Sequence, residues 1–549
     1  MLRTPRCSFI ELGLRVLAPA AARAAGPSSS TIMPRIFGGH NLATAISTVS
    51  VVVLTSGCAK VGPNFNAPDA PVHPSWIDAD DPALQIEQVD QQDWWKTFQD
   101  PVLDALVAKA AEQNLTLQIL GLRVFEARAL VGVAVGSLFP QSQTANAGAQ
   151  EIRLSDNAEP VSNLPSEVGS LVDTRFQRYG VSLDAAWELD LWGRIRRGVE
   201  ASEANLAASL ATYDDFLVTL NGEVAGAYIL LRTLEERLAV AQSNVAIQKR
   251  SLEIADVRFR NGVVTELDVQ LATALLGNTA ANIPLIEVGI RRTQLALSLL
   301  LGMPPSDLAE ILGGAGVIPT VPEQIAVGLP ADLLRRRPDV RRSLYIAAAQ
   351  SARIGIAKAD FYPSFRLLGG IGYAADSTGD VFDSDSVAGV GGLGFSWKIL
   401  NYGRLRNNLR IQDARFQQLV AAYQNTVLNA AREVEDGLVS YLRAKERVES
   451  LTLSVEAAKR AVELAAKQYS DGLISYTLVL DANQFLSLNQ DLETASRGEV
   501  ARNLVTTYKA MGGGWQIREG KPLIPDEVKA TMQERTPWGN LLDEPGETP

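Results

Sequence analysis

Cysteine and histidine are almost missing from this chain of 549 residues, which holds two of each. The cysteines are Cys7 and Cys58, and past Cys58 there is no thiol and one histidine, His73. Such a chain has no disulfide framework and no Cys-based metal centre. It also lacks the Met or His clusters that would suggest copper or silver handling. Net positive charge is missing too: the formal charge is −11, which argues against a nucleic-acid binder. No stretch spells a Walker A loop, an H-E-x-x-H zinc site or a G-x-S-x-G nucleophile elbow. Gly389–Gly394 does spell G-x-G-x-x-G, but a dinucleotide site needs that loop to open a helix. Here the alternating segment Phe395–Leu400 follows, which reads as strand. We therefore expect no enzyme, no metal and no soluble cofactor.

What is present is a duplication. Gly193-Arg194 recurs as Gly403-Arg404, an offset of 210 residues (403 − 193). The same offset, without a gap, relates Tyr213/Tyr423, Glu223/Glu433, Arg237/Arg447, Gly262/Gly472 and Gly302/Gly512. Inside the first copy, Leu231, Leu234, Leu238, Ala241, Val245, Gln248, Leu252, Ala255 and Phe259 recur in alternating steps of three and four. The second copy repeats this from Tyr441 to Tyr469 with apolar or aromatic residues throughout. A period of 3.5 held this long marks supercoiled helices. Each copy thus predicts a helix from about residue 197 or 407 to the Asn261-Gly262 or Asp471-Gly472 break, roughly 100 Å long. A returning helix follows near 265–301 and 475–511, stopped by Gly302 or Gly512. Heptads alone would also suit a dimeric coiled coil or a helical bundle.

A second matched pair lies upstream. Phe139-Pro140 corresponds to Tyr362-Pro363 at an offset of 223 (363 − 140), and Ala129-x-x-Gly132-x-Ala134 to Ala352-x-x-Gly355-x-Ala357. Between each proline and the next long helix the character changes. Residues 141–152, 175–192, 364–374 and 387–400 read as strands with polar loops between. Short alternating strands with aromatics near one end suit an outer-membrane barrel, although each hairpin alone would also suit a soluble protein. Four strands cannot close a spanning barrel, since single-chain barrels start at about eight. A barrel here needs several chains.

The N-terminus gives an address. Residues 43–57 form an apolar run that is too short to cross a membrane and suits a signal-peptide core. Leu54-Thr55-Ser56-Gly57-Cys58 resembles a bacterial lipobox, which implies acylation of Cys58. Ala59 in place of Asp implies, by the same resemblance, sorting to the outer membrane. The arginine-bearing residues 1–32 are odd for a signal, so translation is expected to start at Met33.

Taken in order, these motifs make the chain similar to the TolC-like outer membrane factors, in particular the lipoprotein branch typified by OprM and called NodT-type. The resemblance rests on Val61-Gly62-Pro63-Asn64-Phe65, Trp94-Trp95-Lys96-x-Phe98-x-Asp100-Pro101 and Asn114-Leu115. It rests further on Gly328-Leu329-Pro330 running on to Arg337-Pro338-Asp339-Val340-Arg341, and on Tyr469-x-x-Gly472-x-x-Ser475 with Leu480-Asp481-Ala482. The implied fold is an α+β membrane protein. It is a trimeric 12-stranded outer-membrane barrel, four strands per protomer, continuous with a periplasmic coiled-coil tunnel. The implied division is a leader and signal peptide 1–57 and a lipid-anchored belt segment 58–105. A first repeat 106–302, a linker 303–330, a second repeat 331–512 and a belt tail 513–549 complete it.

The implied function is a passive efflux duct, working with a periplasmic adaptor and an inner-membrane pump of the resistance-nodulation-division class. Outer-membrane lipid is a further implied partner. Ducts for type I protein secretion or metal-ion export remain open, as does a poreless coiled-coil lipoprotein. The implied gate lies at the helix tips. Asp268 matches an acidic gate residue, Tyr469 its aromatic partner, and Asp481 a carboxylate repeated three times around the aperture. Gly262, Gly472 and Ser475 lie at the tips that would dock the adaptor. Ile474 and Leu478 stand where TolC itself carries a gate arginine and an acidic residue, so an apolar or hydrogen-bonded closure is expected. A carboxylate near a helix start is also favoured by the helix dipole alone, a plainer reading of Asp268. The Arg335–Arg337 run reads as structural pairing or a solvated face.

Overall fold

The computed structural model describes residues 59–85, 92–155, 165, 173–330 and 336–543. Cys58, Met33 and Arg335 lie outside the described residues. The N-terminal stretch from residue 59 to 76 forms neither helix nor strand. Its Val61 amide donates to the Trp192 carbonyl at 3.1 Å.

Two short helices come first, α1 (Pro101–Gln113) and α2 (Leu115–Gly136). Asn114 divides them. Its carboxamide oxygen accepts from the Leu117 amide at 2.9 Å and so caps α2. Asp100 does the same for α1, which opens on a proline whose missing N–H costs nothing there. The hairpin β1 (Ser142–Arg153) and β2 (Arg175–Leu189) follows. Then come α3 (Arg194–Arg260, 67 residues) and the returning α4 (Glu266–Leu300). The second repeat runs α5 (Pro338–Ala359), β3 (Ser364–Ala375), β4 (Val387–Ser396), α6 (Arg404–Ser470, again 67 residues) and α7 (Tyr476–Ala510). By length and apolar content α4 would pass for a membrane-crossing helix. Its pairing along α3 makes it the returning arm of a helical hairpin instead.

The four strands form one antiparallel sheet in the order β1-β2-β3-β4. Its register places Trp187 opposite Leu367, Leu183 opposite Ile371 and Phe365 opposite Phe395, so one face is apolar. The other face carries polar groups. Asn146 Nδ2 donates to Asp184 Oδ2 at 2.7 Å, and Ser182 Oγ donates to the same oxygen at 2.8 Å. An apolar outside with a polar inside is the alternation of a lipid-facing barrel wall. Strand ends differ from expectation. The segments read as strand to 192 and 400 leave the sheet at Leu189 and Ser396. The chain turns there, with Leu191 N donating to Leu189 O and Ile399 N to Trp397 O. Side-chain alternation continues through the turn, which is why it read as strand.

The main core lies at mid-length of the long helices, where α3, α6 and α7 meet α1 and the loop before it. Trp94 stacks on Tyr508 at 5.4 Å and meets Trp95 edge-on at 5.7 Å. Buried arginines stitch loops onto this core. Arg232 donates to the carbonyls of Leu312 and Gly314 and to the Tyr228 hydroxyl. Of the arginine run, Arg337 is buried and paired while Arg336 is exposed.

Candidate functional site

The chain reverses twice at the far end from the sheet, once in each repeat, by the same device. Gly262 (φ 70°) and Gly472 (φ 77°) take the left-handed conformation that glycine tolerates best. The Val263 amide then reaches back to the Arg258 carbonyl at 3.0 Å, and the Leu473 amide to the Gln468 carbonyl at 2.9 Å. Thr265 and Ser475 are extended and start the returning helices, though neither side chain caps its helix. Gly262, Gly472 and Ser475 therefore lie at the tips.

The structure brings Asp268 and Tyr469 together across the two repeats. The Tyr469 hydroxyl donates to Asp268 Oδ2 at 3.0 Å. Tyr476 packs edge-on against the Tyr469 ring at 5.2 Å. Ala255, Ala272 and Val479 close over both rings, with Ile474 against them. Ile474 is thus an apolar filler, while Leu478 is exposed. Asp481 stands apart. It is exposed near the start of α7 and does not join the Asp268–Tyr469 pair.

One residue of this cluster was missed from sequence. The Arg258 guanidinium lies 4.5 Å from the Tyr469 ring centroid, and its Nη1 donates to the Tyr469 carbonyl. A cation is therefore present, supplied by α3 and not from position 474. Two signals pointed to it. Arg258 sits in the last turn of a helix, where cations bond free carbonyls. Its repeat equivalent is the uncharged Gln468 (258 + 210).

Burial, together with the Asp268 carboxylate beside it, pushes the Tyr469 phenol well up. Burial also pushes Tyr476 up to about 12. Both phenols stay protonated at neutral pH, so Tyr469 keeps its donor. Because the folded state favours the neutral form, this stabilisation is complete below about pH 10 and is lost as pH rises through about 12. In an alkaline titration these two phenols are expected to ionise only as helicity is lost. Every tyrosine ionising near pH 10 with the helices intact would contradict the packing described.

Among the described residues no group of His, Cys, Asp and Glu is arranged to hold a metal. The cluster at the tips is made of two hydrogen bonds, one cation over a ring and a small apolar core.

The sequence matches the model of the family described as outer membrane efflux protein over residues 106–303 and 329–513. It is 29% identical over 435 residues to the pyoverdine export outer membrane protein OpmQ of Pseudomonas putida, covering 79% of this chain and 90% of that protein. It is 30% identical over 480 residues to outer membrane protein OprJ of Pseudomonas aeruginosa, covering 86% of this chain and 96% of that one. The fold superposes on the solved outer-membrane channel OprN with a TM-score of 0.77 and 32% identity, covering 83% of this chain and all of that one. The fold is that of the TolC-like channels, and the chain belongs to the outer membrane efflux protein family.

Proposed function

We propose that three copies of this chain build the passive outer-membrane duct of a tripartite efflux system. Each would give four strands to a shared 12-stranded barrel (3 × 4). The observation that carries this is the open sheet. Its edge strands β1 and β4 have no neighbour on one side among the described residues, and unpaired backbone in hydrocarbon costs several kcal/mol per group. A lipid on Cys58 would anchor the assembly. An adaptor would grip the tips around Gly262, Gly472 and Ser475, and a pump of the resistance-nodulation-division class would drive transport.

The Asp268–Tyr469 contact would hold the tip shut, and three Asp481 carboxylates facing one aperture would attract cations. The duct itself does no chemistry. Cargo would be small toxic compounds such as antibiotics. Relatives named for pyoverdine export and for toluene efflux favour small molecules over secreted proteins.

The test compares cells lacking the protein with cells carrying Cys58→Ala. A several-fold rise in accumulation of unrelated drugs on deletion is expected, with the variant reporting how far the anchor matters. Unchanged accumulation of dyes, antibiotics and metals, with exoproteins missing from the medium, would move the reading to protein secretion.

A further inference from the structure

The polar face of the sheet carries one carboxylate without a counter-ion among the described residues, Asp184 of β2. By strand alternation Arg178, Glu188 and Arg366 share that face. Glu188 is matched: it accepts from Arg194 at 2.8 Å and lies 3.5 Å from Arg366. Arg178 is six residues from Asp184 (184 − 178), roughly 20 Å along the strand. Asp184 is held by neutral donors, Asn146 Nδ2 and Ser182 Oγ, and both bonds fall on Oδ2.

The other oxygen, Oδ1, looks over a gap. Gly370 of β3 lies opposite Asp184 on one side and opposite Val390 of β4 on the other. A Cβ on Gly370 would come within 2.5 Å of Asp184 Oδ1 and 3.6 Å of Val390 Cγ1. Gly370 therefore floors a cleft one side chain wide, with a carboxylate on one wall and a branched apolar side chain on the other. The cleft opens into a hollow of about 550 Å³ that runs on over Gly372, Gly180 and Gly148. Glycine weakens a strand interior and marks places where another group approaches closely.

The duplication separates this carboxylate from the needs of the hairpin. At the base of the sheet the repeat offset holds: Trp187 Nε1 donates to Leu138 O, and Trp397 Nε1 donates to Phe361 O. By the same offset Asp184 becomes Gly394 (184 + 210). The second hairpin forms without a carboxylate there, so Asp184 is not required to build one. Each chain brings one such group, and a trimer brings three.

We infer that the cleft is a lumenal site for organic cations: an ammonium group settles on Asp184 Oδ1 while its apolar body lies across Gly370 against Val390. This rests on the barrel proposed above and adds the chemical class of cargo that its wall favours. A bare carboxylate in a pore attracts any cation, and a low-dielectric wall focuses its field into the lumen. The apolar wall and the width of the cleft select an organic cation over a hydrated metal ion. Arg178 toward one end and the Arg194–Arg366 pair toward the other confine the attraction to mid-wall. One half-buried carboxylate without a cage also lets its guest leave, as conduction requires.

The test uses a reporter thiol. Ala388 of β4 lies on the same face, opposite Gly372 and about 12 Å from Asp184. No residue past Cys58 is a cysteine, so Ala388→Cys supplies the only thiol there, with the parent chain as blank. In membrane-embedded trimers at low salt, a cationic thiosulfonate should modify it several-fold faster than an anionic one, each scaled to its rate on a small free thiol. Adding Asp184→Asn should abolish the preference, and Asp184→Glu should keep it. Benzylammonium should slow modification where equal sodium or benzyl alcohol does not. Gly370→Ala, which keeps the charge but fills the cleft, should remove that protection. Equal rates for the two reagents, or sodium protecting as well as benzylammonium, would overturn the site and leave the duct standing. Protection is read with Asp184 and Gly370 in place, so it decides the matter even where a variant fails to assemble. If intact trimers admit neither reagent to the introduced thiol, this face is not a water-filled lumen, and the duct reading falls with the site.

Discussion

Arg258→Ala is expected to raise single-channel conductance several-fold in planar bilayers, with trimers intact. Arg258 is the only cation described in contact with Tyr469, and it holds that residue twice. A cation over an aromatic face contributes about 0.5–2 kcal/mol. A charged donor on a carbonyl contributes about 1.5–3 kcal/mol, and here that carbonyl ends a long helix, where the dipole favours positive charge. The guanidinium Nε is buried without a hydrogen-bond partner among the described residues, which places the sum toward the low end. About 2 kcal/mol per protomer is roughly a 30-fold shift in a local closed-to-open equilibrium, and a threefold assembly would feel it three times.

The other substitutions fall in order behind it. Tyr469→Phe removes only the hydroxyl contact to Asp268 and should matter less, at about 1 kcal/mol. Arg258→Lys keeps the charge but loses the flat stacking face, and should lie between. Wild-type conductance from intact Arg258→Ala trimers would remove Arg258 from the closure.

Much of this architecture could be read from residues alone, because its signals are periodic. The 3.5-residue seam from Leu231 to Phe259 lies on a helix that ends at Arg260, and the Asn261-Gly262 turn falls where the dipeptide put it. Asp268 and Tyr469 were singled out by the family resemblance and not by the repeats, and the structure brings their side chains together. What escaped was aperiodic. Arg258, Arg232 and Arg197 each look like one more cation on a solvated helix face, and only the fold brings them against carbonyls from distant segments. The extra helix break at Asn114 was also missed, since an Asn beside Glu112 and Gln113 reads as one more polar residue on a helix face and signals a cap only once the chain has turned. The strand ends failed for the opposite reason: Trp397-Lys398-Ile399-Leu400 keeps a strand's alternation while its backbone has already turned.

Arg337→Ala is expected to destabilise the protein by about 3–5 kcal/mol, the cost of leaving partners of a buried charge unmatched. Arg337 donates to both Asp339 oxygens, to Glu433 at 2.7 Å and to the Ala510 carbonyl at 2.5 Å. It thus ties the start of α5, the middle of α6 and the end of α7 to one point. Gly512 follows directly: a Cβ there would come within 2.7 Å of the Arg337 side chain. Burial works against its charge, but Asp339 and Glu433 together outweigh burial, so the guanidinium stays protonated at any workable pH. Removing it leaves two carboxylates and a helix-end carbonyl facing one cavity. Arg443 offers a contrast, since its pairing with Glu446 is exposed and lies within one helix face. Arg443→Ala should cost well under about 1 kcal/mol. Thermal melts of detergent-solubilised protein decide between them. The Arg337 variant should melt many degrees lower and lose trimer yield, whereas Arg443→Ala should track wild type. Arg337→Met separates packing from charge, because it refills the volume without the guanidinium. If the Met variant recovers wild-type melting, Arg337 acts by filling space, and its ties to three helices are not what holds the middle of the tunnel together.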